Sequence, residues 1–240
     1  FVQNNVSSNR QNGIYIYSSA NNSLFYNTVI NNSNGFEIGG SISKDNLLLG
    51  NVVKGNVDGI ILGGYTNVSN NTIVNNSRRG IQISLSSFNI IKENNVSYNG
   101  ERGIYVYISG NNTVRSNFVV GNKNSGVEIY GGTWNLVEGN DISSNEVGIY
   151  FVGSNGNNTA RVNNIAGNNK NGVYVSSGAN NILDSNIISR NNQYGILFGS
   201  SSRSNIAKYN GDQGVLNILG GISPAMPANG NVYIDNSFLN

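Results

Sequence analysis

The chain has no cysteine and no histidine. Zinc, haem and iron–sulfur centres therefore lose their usual protein ligands, Cys/His nucleophilic chemistry loses both partners, and no cofactor is expected. Charge is scarce as well: 11% of the 240 residues are Asp, Glu, Lys or Arg, and the formal net charge is +2. Phosphate binding needs concentrated Lys and Arg, so the composition excludes nucleic acid as a partner. No apolar run reaches the length of a membrane-spanning helix. The opening residues, FVQNNVSSNR, lack the charged start and apolar stretch of a signal peptide, so either that peptide has been removed or the chain is an excised segment.

What the chain has in excess is glycine, 31 residues, and asparagine. Such a composition could suit a disordered chain, but Ile, Val, Leu, Phe and Tyr recur at fixed places. A glycine followed by an apolar alternation occurs at Gly13, Gly35, Gly59, Gly80, Gly103, Gly126, Gly148, Gly172, Gly195 and Gly214, at intervals of 19 to 24 residues. Asparagines five apart precede most of these glycines, as in Asn112, Asn117, Asn122 or Asn135, Asn140, Asn145. The four residues between asparagines are too few for a helix, and their β-branched content favours short strands. Each period therefore holds three short strands and three tight corners, and coils bury their apolar residues only by stacking. The predicted fold is all-β: a parallel β-helix of about 10–11 coils of 21–24 residues, one domain over residues 1–240, forming a rod on the order of 50 Å long. A right-handed winding is taken from known solenoids. Asn135, Asn140, Asn145 and Gly148 are expected to be structural. The asparagines would accept a left-handed corner conformation and stack their amides as a ladder, and the glycine would supply a backbone shape that a Cβ obstructs.

The phrase N-x4-N-x-[IV]-x-x-N-x(2,3)-G-[IVF]-x-[IVLF] resembles the parallel β-helix repeat of the carbohydrate-binding and sugar-hydrolase superfamily. Within it the chain is most similar to NosD-like proteins and to Asn-rich archaeal surface β-helix proteins. The resemblance covers nearly the whole chain and implies the fold. The activities it brings with it are pectin and alginate lyases, glycosidases, epimerases, phage tailspikes and an accessory role in copper-site maturation. Copper handling fits poorly with no His, no Cys and a single methionine, Met226. The Asp cluster with His and Arg-x-Lys of the galacturonase type is absent, as is an acidic and histidine epimerase site. The calcium-binding G-G-x-G-x-D nonapeptide is absent too, since Gly131-Gly132 leads into Thr-Trp-Asn.

Carboxylates offer few pairs. Glu37 and Glu128 take equivalent outward places but stand four coils apart, roughly 19 Å, too far for paired acid–base work on one glycosidic bond. Lys92, Arg115, Glu138, Arg161, Asp184 and Lys208 follow one another on successive coils. They read as an exposed ladder of nearly alternating sign, with Glu138, near Asp141, the best carboxylate to substitute. No catalytic residue is assigned and no metal site is expected.

The outward places after glycine carry Tyr15, Tyr17, Tyr105, Tyr107, Tyr130, Tyr150 and Tyr174. Two readings stand side by side. Tyrosine suits exposed strands intrinsically, and a row of rings also offers stacking area to a sugar chain or a protein surface. N-x-[ST] sequences begin at Asn5, Asn21, Asn31, Asn67, Asn70, Asn75, Asn95, Asn111 and Asn157, and those at exposed corners are candidate glycosylation sites. Neither end shows an amphipathic capping helix. The segment 220–230, GGISPAMPANG, reads as a loop near the C-terminal end, and the ends are expected to meet flanking domains or another subunit. The expectation for function is an extracellular or cell-surface structural or adhesive rod that binds polysaccharide or cell-envelope glycan along its tyrosines. The alternative is a polysaccharide-active enzyme with its site on the same face.

Overall fold

The computed structural model describes residues 1–153, 156–212, 217, 220–222 and 230–238. Between corners the chain has room for only a few extended residues, so the inward positions alone decide what becomes core. In one coil, Val137 turns inward from Leu136–Glu138, Ile142 from Asp141–Ser143, and Ile149 and Phe151 from Ile149–Val152. These four side chains are fully buried, and the residues beside them on each strand face outward. Each strand pairs in parallel with its equivalent on an adjacent coil, keeping Val114, Val137, Ala160 and Leu183 in one column.

Among the described residues the strands form three parallel sheets. The glycine-led sheet has ten strands, from Asn12–Tyr17 to Gly220–Ile222. A second, nine-stranded sheet runs from Asn5–Ser7 to Ile187–Ser189, and a third, ten-stranded one from Ser23–Phe25 to Val232–Ile234. One continuous apolar cluster fills the space between them from Ile14 to Ala207. No described residue is helical.

The asparagines form the expected ladder at all three corners. Asn140 donates its backbone N–H (3.0 Å) and its side-chain Nδ2 (2.9 Å) to Oδ1 of Asn163. Its own Oδ1 accepts the same pair of bonds from Asn117 at 2.9 and 3.0 Å. Buried amides thus satisfy each other along the rod. One detail of the expectation is corrected: among the described residues, the left-handed residue is the one before the ladder asparagine. Trp134 (φ +58°), Gly139 (φ +62°) and Ser144 (φ +57°) precede Asn135, Asn140 and Asn145. The corner needs one residue of positive φ, and the asparagine after it contributes its side-chain and backbone hydrogen bonds rather than a left-handed conformation of its own.

Gly148 acts through space instead. A Cβ there would lie 2.5 Å from the carbonyl oxygen of Gly172 and 2.5 Å from Cγ2 of Ile165. The chain approaches its neighbour so closely that only hydrogen fits.

The last coil departs from the sequence reading. Gly214 lies outside the described residues, and the sheet position expected for its copy is taken by Gly220–Ile222, with Tyr194 opposite Gly220 and Ile196 opposite Ile222. The ladder fixes this register, because Asn191 donates to Oδ1 of Asn217 through both its backbone (3.1 Å) and its side chain (2.8 Å). The first three residues of the segment expected to loop are therefore strand. Residues 223–229, including Met226, lie outside the described residues.

Candidate functional site

Alternation places the second and fourth residues after each glycine on the outer face of the glycine-led sheet. Tyr15, Glu37, Ile61, Gln82, Tyr105, Glu128, Tyr150 and Tyr174 form one column. Tyr17 and Gly39, then Ser84, Tyr107, Tyr130 and Val152, belong to a second. All seven tyrosines singled out in the sequence lie on this face, but they do not present the same surface. Tyr150 and Tyr174 stack on each other with centroids 5.0 Å apart and planes at 6°, and Tyr107 and Tyr130 stack at 5.6 Å and 29°. Each of these rings gives one face to its partner. Tyr15 and Tyr17 are the open pair, 52% and 63% exposed, 5.7 Å apart and tilted by 33°.

Tyr105 is different, at 8% exposed. The Arg102 guanidinium sits 4.6 Å from its ring centroid and that of Arg79 5.3 Å, both within cation–π range. Its ring lies beside a charge cluster that the sequence reading missed. Arg102 Nε lies 2.7 Å from Oε2 of Glu128, a carboxylate buried on the outer face, which also accepts from the Ser125 hydroxyl at 3.2 Å. Arg78 and Arg79 approach Asp58 at 3.3 and 3.7 Å, and Glu101 lies near all three arginines at 3.4–3.8 Å. Three guanidiniums face three carboxylates, so the cluster is neutral in sum. Burial raises the Tyr105 phenol above the usual tyrosine range, with the arginines pulling it back only partly.

A signal for this cluster existed. The residue just before the repeat glycine touches the second residue after it, as Asn34 does Glu37, Arg79 does Gln82 and Ser125 does Glu128. Aligning the repeats on that earlier position would have placed Asp58, Arg79 and Arg102 on consecutive coils.

The charge ladder lies on the third sheet in the expected order, Lys92, Arg115, Glu138, Arg161, Asp184, Lys208. Arg161 binds Glu138 at 2.6 Å and Lys208 binds Asp184 at 3.1 Å. Asp141 belongs to the nine-stranded sheet, between Phe118 and Asn164, so the corner at Asn140 turns it away from Glu138. Glu37 and Glu128 share a column but are separated by Ile61, Gln82 and Tyr105. None of the nine N-x-[ST] asparagines is a ladder rung. Six of them, Asn21, Asn31, Asn70, Asn75, Asn111 and Asn157, occupy the left-handed corner position. Among the described residues no group of three or more His, Cys, Asp or Glu side chains is placed to hold a metal ion.

A comparison with protein families matches the right-handed β-helix region to residues 1–142 and 122–238. The chain belongs to the right-handed β-helix family. Solved structures agree in fold. The periplasmic alginate epimerase AlgG superposes with a TM-score of 0.68 at 20% identity, over 90% of this chain and 62% of that one. The Dettilon tailspike protein gives 0.69 at 15% identity, over 98% and 60%. The A-module of the Azotobacter vinelandii mannuronan C-5 epimerase AlgE4 gives 0.67 at 15%, over 98% and 76%. This β-helix thus spans less than two thirds of the length of AlgG and of the Dettilon tailspike. A comparison with curated protein sequences gives no match.

Proposed function

We propose that this β-helix is an extracellular or cell-surface rod that binds polysaccharide along the outer face of its glycine-led sheet without turning it over. The observation that carries this reading is the repeat of tyrosines at coil spacing, about 4.8 Å, on one regular sheet. Tyr15 and Tyr17 are the more exposed pair, while Tyr107 with Tyr130 and Tyr150 with Tyr174 form two stacked pairs in adjacent columns. An elongated, hydroxyl-rich polymer matches that periodic mixture of apolar area and polar handles. The names of the similar structures, epimerases of alginate and mannuronan among them, support a polysaccharide as the ligand.

The test is a glycan array probed with the wild type, with Tyr15→Ala/Tyr17→Ala and with Tyr130→Ala/Tyr150→Ala. A loss of tenfold or more in binding is expected in at least one double variant, and unchanged binding in both would sink the reading. Tyr105 is left intact because its removal would strip the packing under Arg79 and Arg102. That same cluster favours the one competing reading, an enzyme using the Tyr105 hydroxyl beside paired guanidiniums. Release of reducing ends or unsaturated uronates, abolished by Tyr105→Phe, would replace binding by turnover.

A further inference from the structure

The third coil breaks the repeat at one corner. Between the glycine-led sheet and the third sheet, the second coil uses residues 40–45 and the fourth uses 85–89, whereas the third has only 63–65. At the same place Thr66 replaces the ladder asparagine. Its backbone N–H still donates to Asn89 Oδ1 at 3.0 Å, but the backbone N–H of Asn46 turns to the Tyr65 carbonyl at 3.3 Å. At Gly63 and Gly64 the shortened corner is bare backbone: a Cβ on Gly64 would lie 2.2 Å from the Ser43 carbonyl oxygen.

The missing residues leave a notch of about 500 Å³ bordered by Ser41, Lys44, Gly63, Gly64, Tyr65 and Ser87. On the other side of Tyr65 lies a second depression of about 270 Å³ that reaches Phe88 and Asn67. Tyr65 and Phe88 meet edge to face at 5.2 Å and 74°, and both rings are exposed. Behind them, Asn67 Oδ1 is buried and meets no donor from the protein. Lys44 borders the first depression and Asp45 the second, so the fixed charges cancel.

We infer that the two depressions around Tyr65 are a binding site for a neutral, hydroxyl-rich sugar residue, separate from the tyrosine columns. The chemistry selects this class. The apolar face of a pyranose packs on exposed aromatic rings, its hydroxyls meet the serines and open glycine backbone, and one of them donates to Asn67 Oδ1. A fully apolar ligand would desolvate the serines and leave Asn67 unpaired. An anionic ligand finds one lysine offset by Asp45. The notch volume falls within the usual span of small-ligand sites, roughly 300–1,000 Å³. The inference does not rest on the tyrosine columns, which lie on the face of the glycine-led sheet rather than at its corner.

The test is a titration of the isotope-labelled chain by amide NMR with cellohexaose, maltohexaose and mannohexaose, and with hexagalacturonate as the acidic counterpart. Saturable shifts centred on Gly40, Gly63, Gly64 and Ser87 are expected with at least one neutral hexaose. Tyr65→Ala should weaken them at least tenfold, and Tyr15→Ala/Tyr17→Ala should leave them unchanged. Ser87→Trp, which fills the notch from its far border and leaves both rings in the chain, should abolish them, and it decides the matter if Tyr65→Ala disturbs the fold. No saturable shift at these amides with any neutral probe, a response to hexagalacturonate alone, or shifts that survive Ser87→Trp would overturn the inference. Glycan binding unchanged in both tyrosine-column double variants, with the shifts at the notch still present, would overturn the proposed function and leave this site standing.

Discussion

Replacing Asn140 by alanine tests whether the ladder stabilises the fold or merely decorates it. The side chain takes part in five hydrogen bonds: Nδ2 donates to the carbonyls of Val114 (2.9 Å) and Glu138 (3.1 Å) and to Asn163 Oδ1 (2.9 Å), while Oδ1 accepts the Asn117 backbone N–H (2.9 Å) and Nδ2 (3.0 Å). A buried hydrogen bond contributes about 1 kcal/mol net, and an orphaned buried donor costs about 1–3 kcal/mol. With some relaxation, Asn140→Ala should cost about 3–5 kcal/mol, a large share of the roughly 5–15 kcal/mol that keeps a domain folded. The ladder has a direction, which supplies a sharper readout than the midpoint of urea unfolding. Asn117 loses the acceptor of its backbone N–H, whereas Asn163 still donates its own to Asn186 Oδ1 at 3.0 Å. Native-state hydrogen exchange should therefore accelerate at Asn117 and much less at Asn163. For contrast, Asn75→Ala, at an exposed left-handed corner (φ +54°), should cost only about 1–2 kcal/mol from backbone strain. A cost below about 1 kcal/mol for Asn140→Ala, or equal exchange at the two neighbours, would refute the reasoning.

Other outcomes follow from the same geometry. Gly148→Ala should destabilise by at least about 2 kcal/mol through overpacking against the Gly172 carbonyl. Gly39→Ala, where a Cβ meets nothing within 4 Å, should change stability by less than about 0.5 kcal/mol. Arg102→Met strands the Glu128 carboxylate, whose side chain is 3% exposed, and should cost about 3–5 kcal/mol in chemical denaturation. Arg161→Met, at the 48% exposed end of the Glu138 pair, should cost no more than about 1 kcal/mol. Burial raises the Tyr105, Tyr174 and Tyr233 phenols, so the folded chain keeps protons that the unfolded chain releases. Their contribution to stability is intact below about pH 10 and is lost as pH rises through the higher folded values. An ultraviolet phenolate titration should show a late-ionising class that Tyr105→Phe reduces.

Periodicity made most of the coil legible. An inward residue such as Val137 or Ile142 is marked by its place between two asparagines, and the core has no other source, so the sheets and their register followed from counting. The corner geometry was less legible. The sequence shows asparagine at the turn, but whether that residue or the one before it adopts positive φ depends on how a parallel strand re-enters the next coil, and the structure gives that role to Trp134, Gly139 and Ser144. The tenth coil was misread at Gly214 because GVLNI imitates the repeat, while the partner that sets the register, Asn217, lies three residues before Gly220.

The sequence by itself determined a stack of coils, three strands in each, closed by asparagine amides and by glycines too crowded to carry a Cβ. It did so because identical residues at a fixed period can satisfy each other only by lying on top of one another. Which surface residues meet was decided by the tertiary structure alone. Tyr105 and Tyr150 occupy equivalent repeat positions, yet the first lies beneath two arginines from neighbouring corners and the second stacks on a ring one coil on. The notch at Tyr65 likewise arises from the length of its neighbours' corners, a property that becomes physical only when coils 20 or more residues apart in the chain are set side by side.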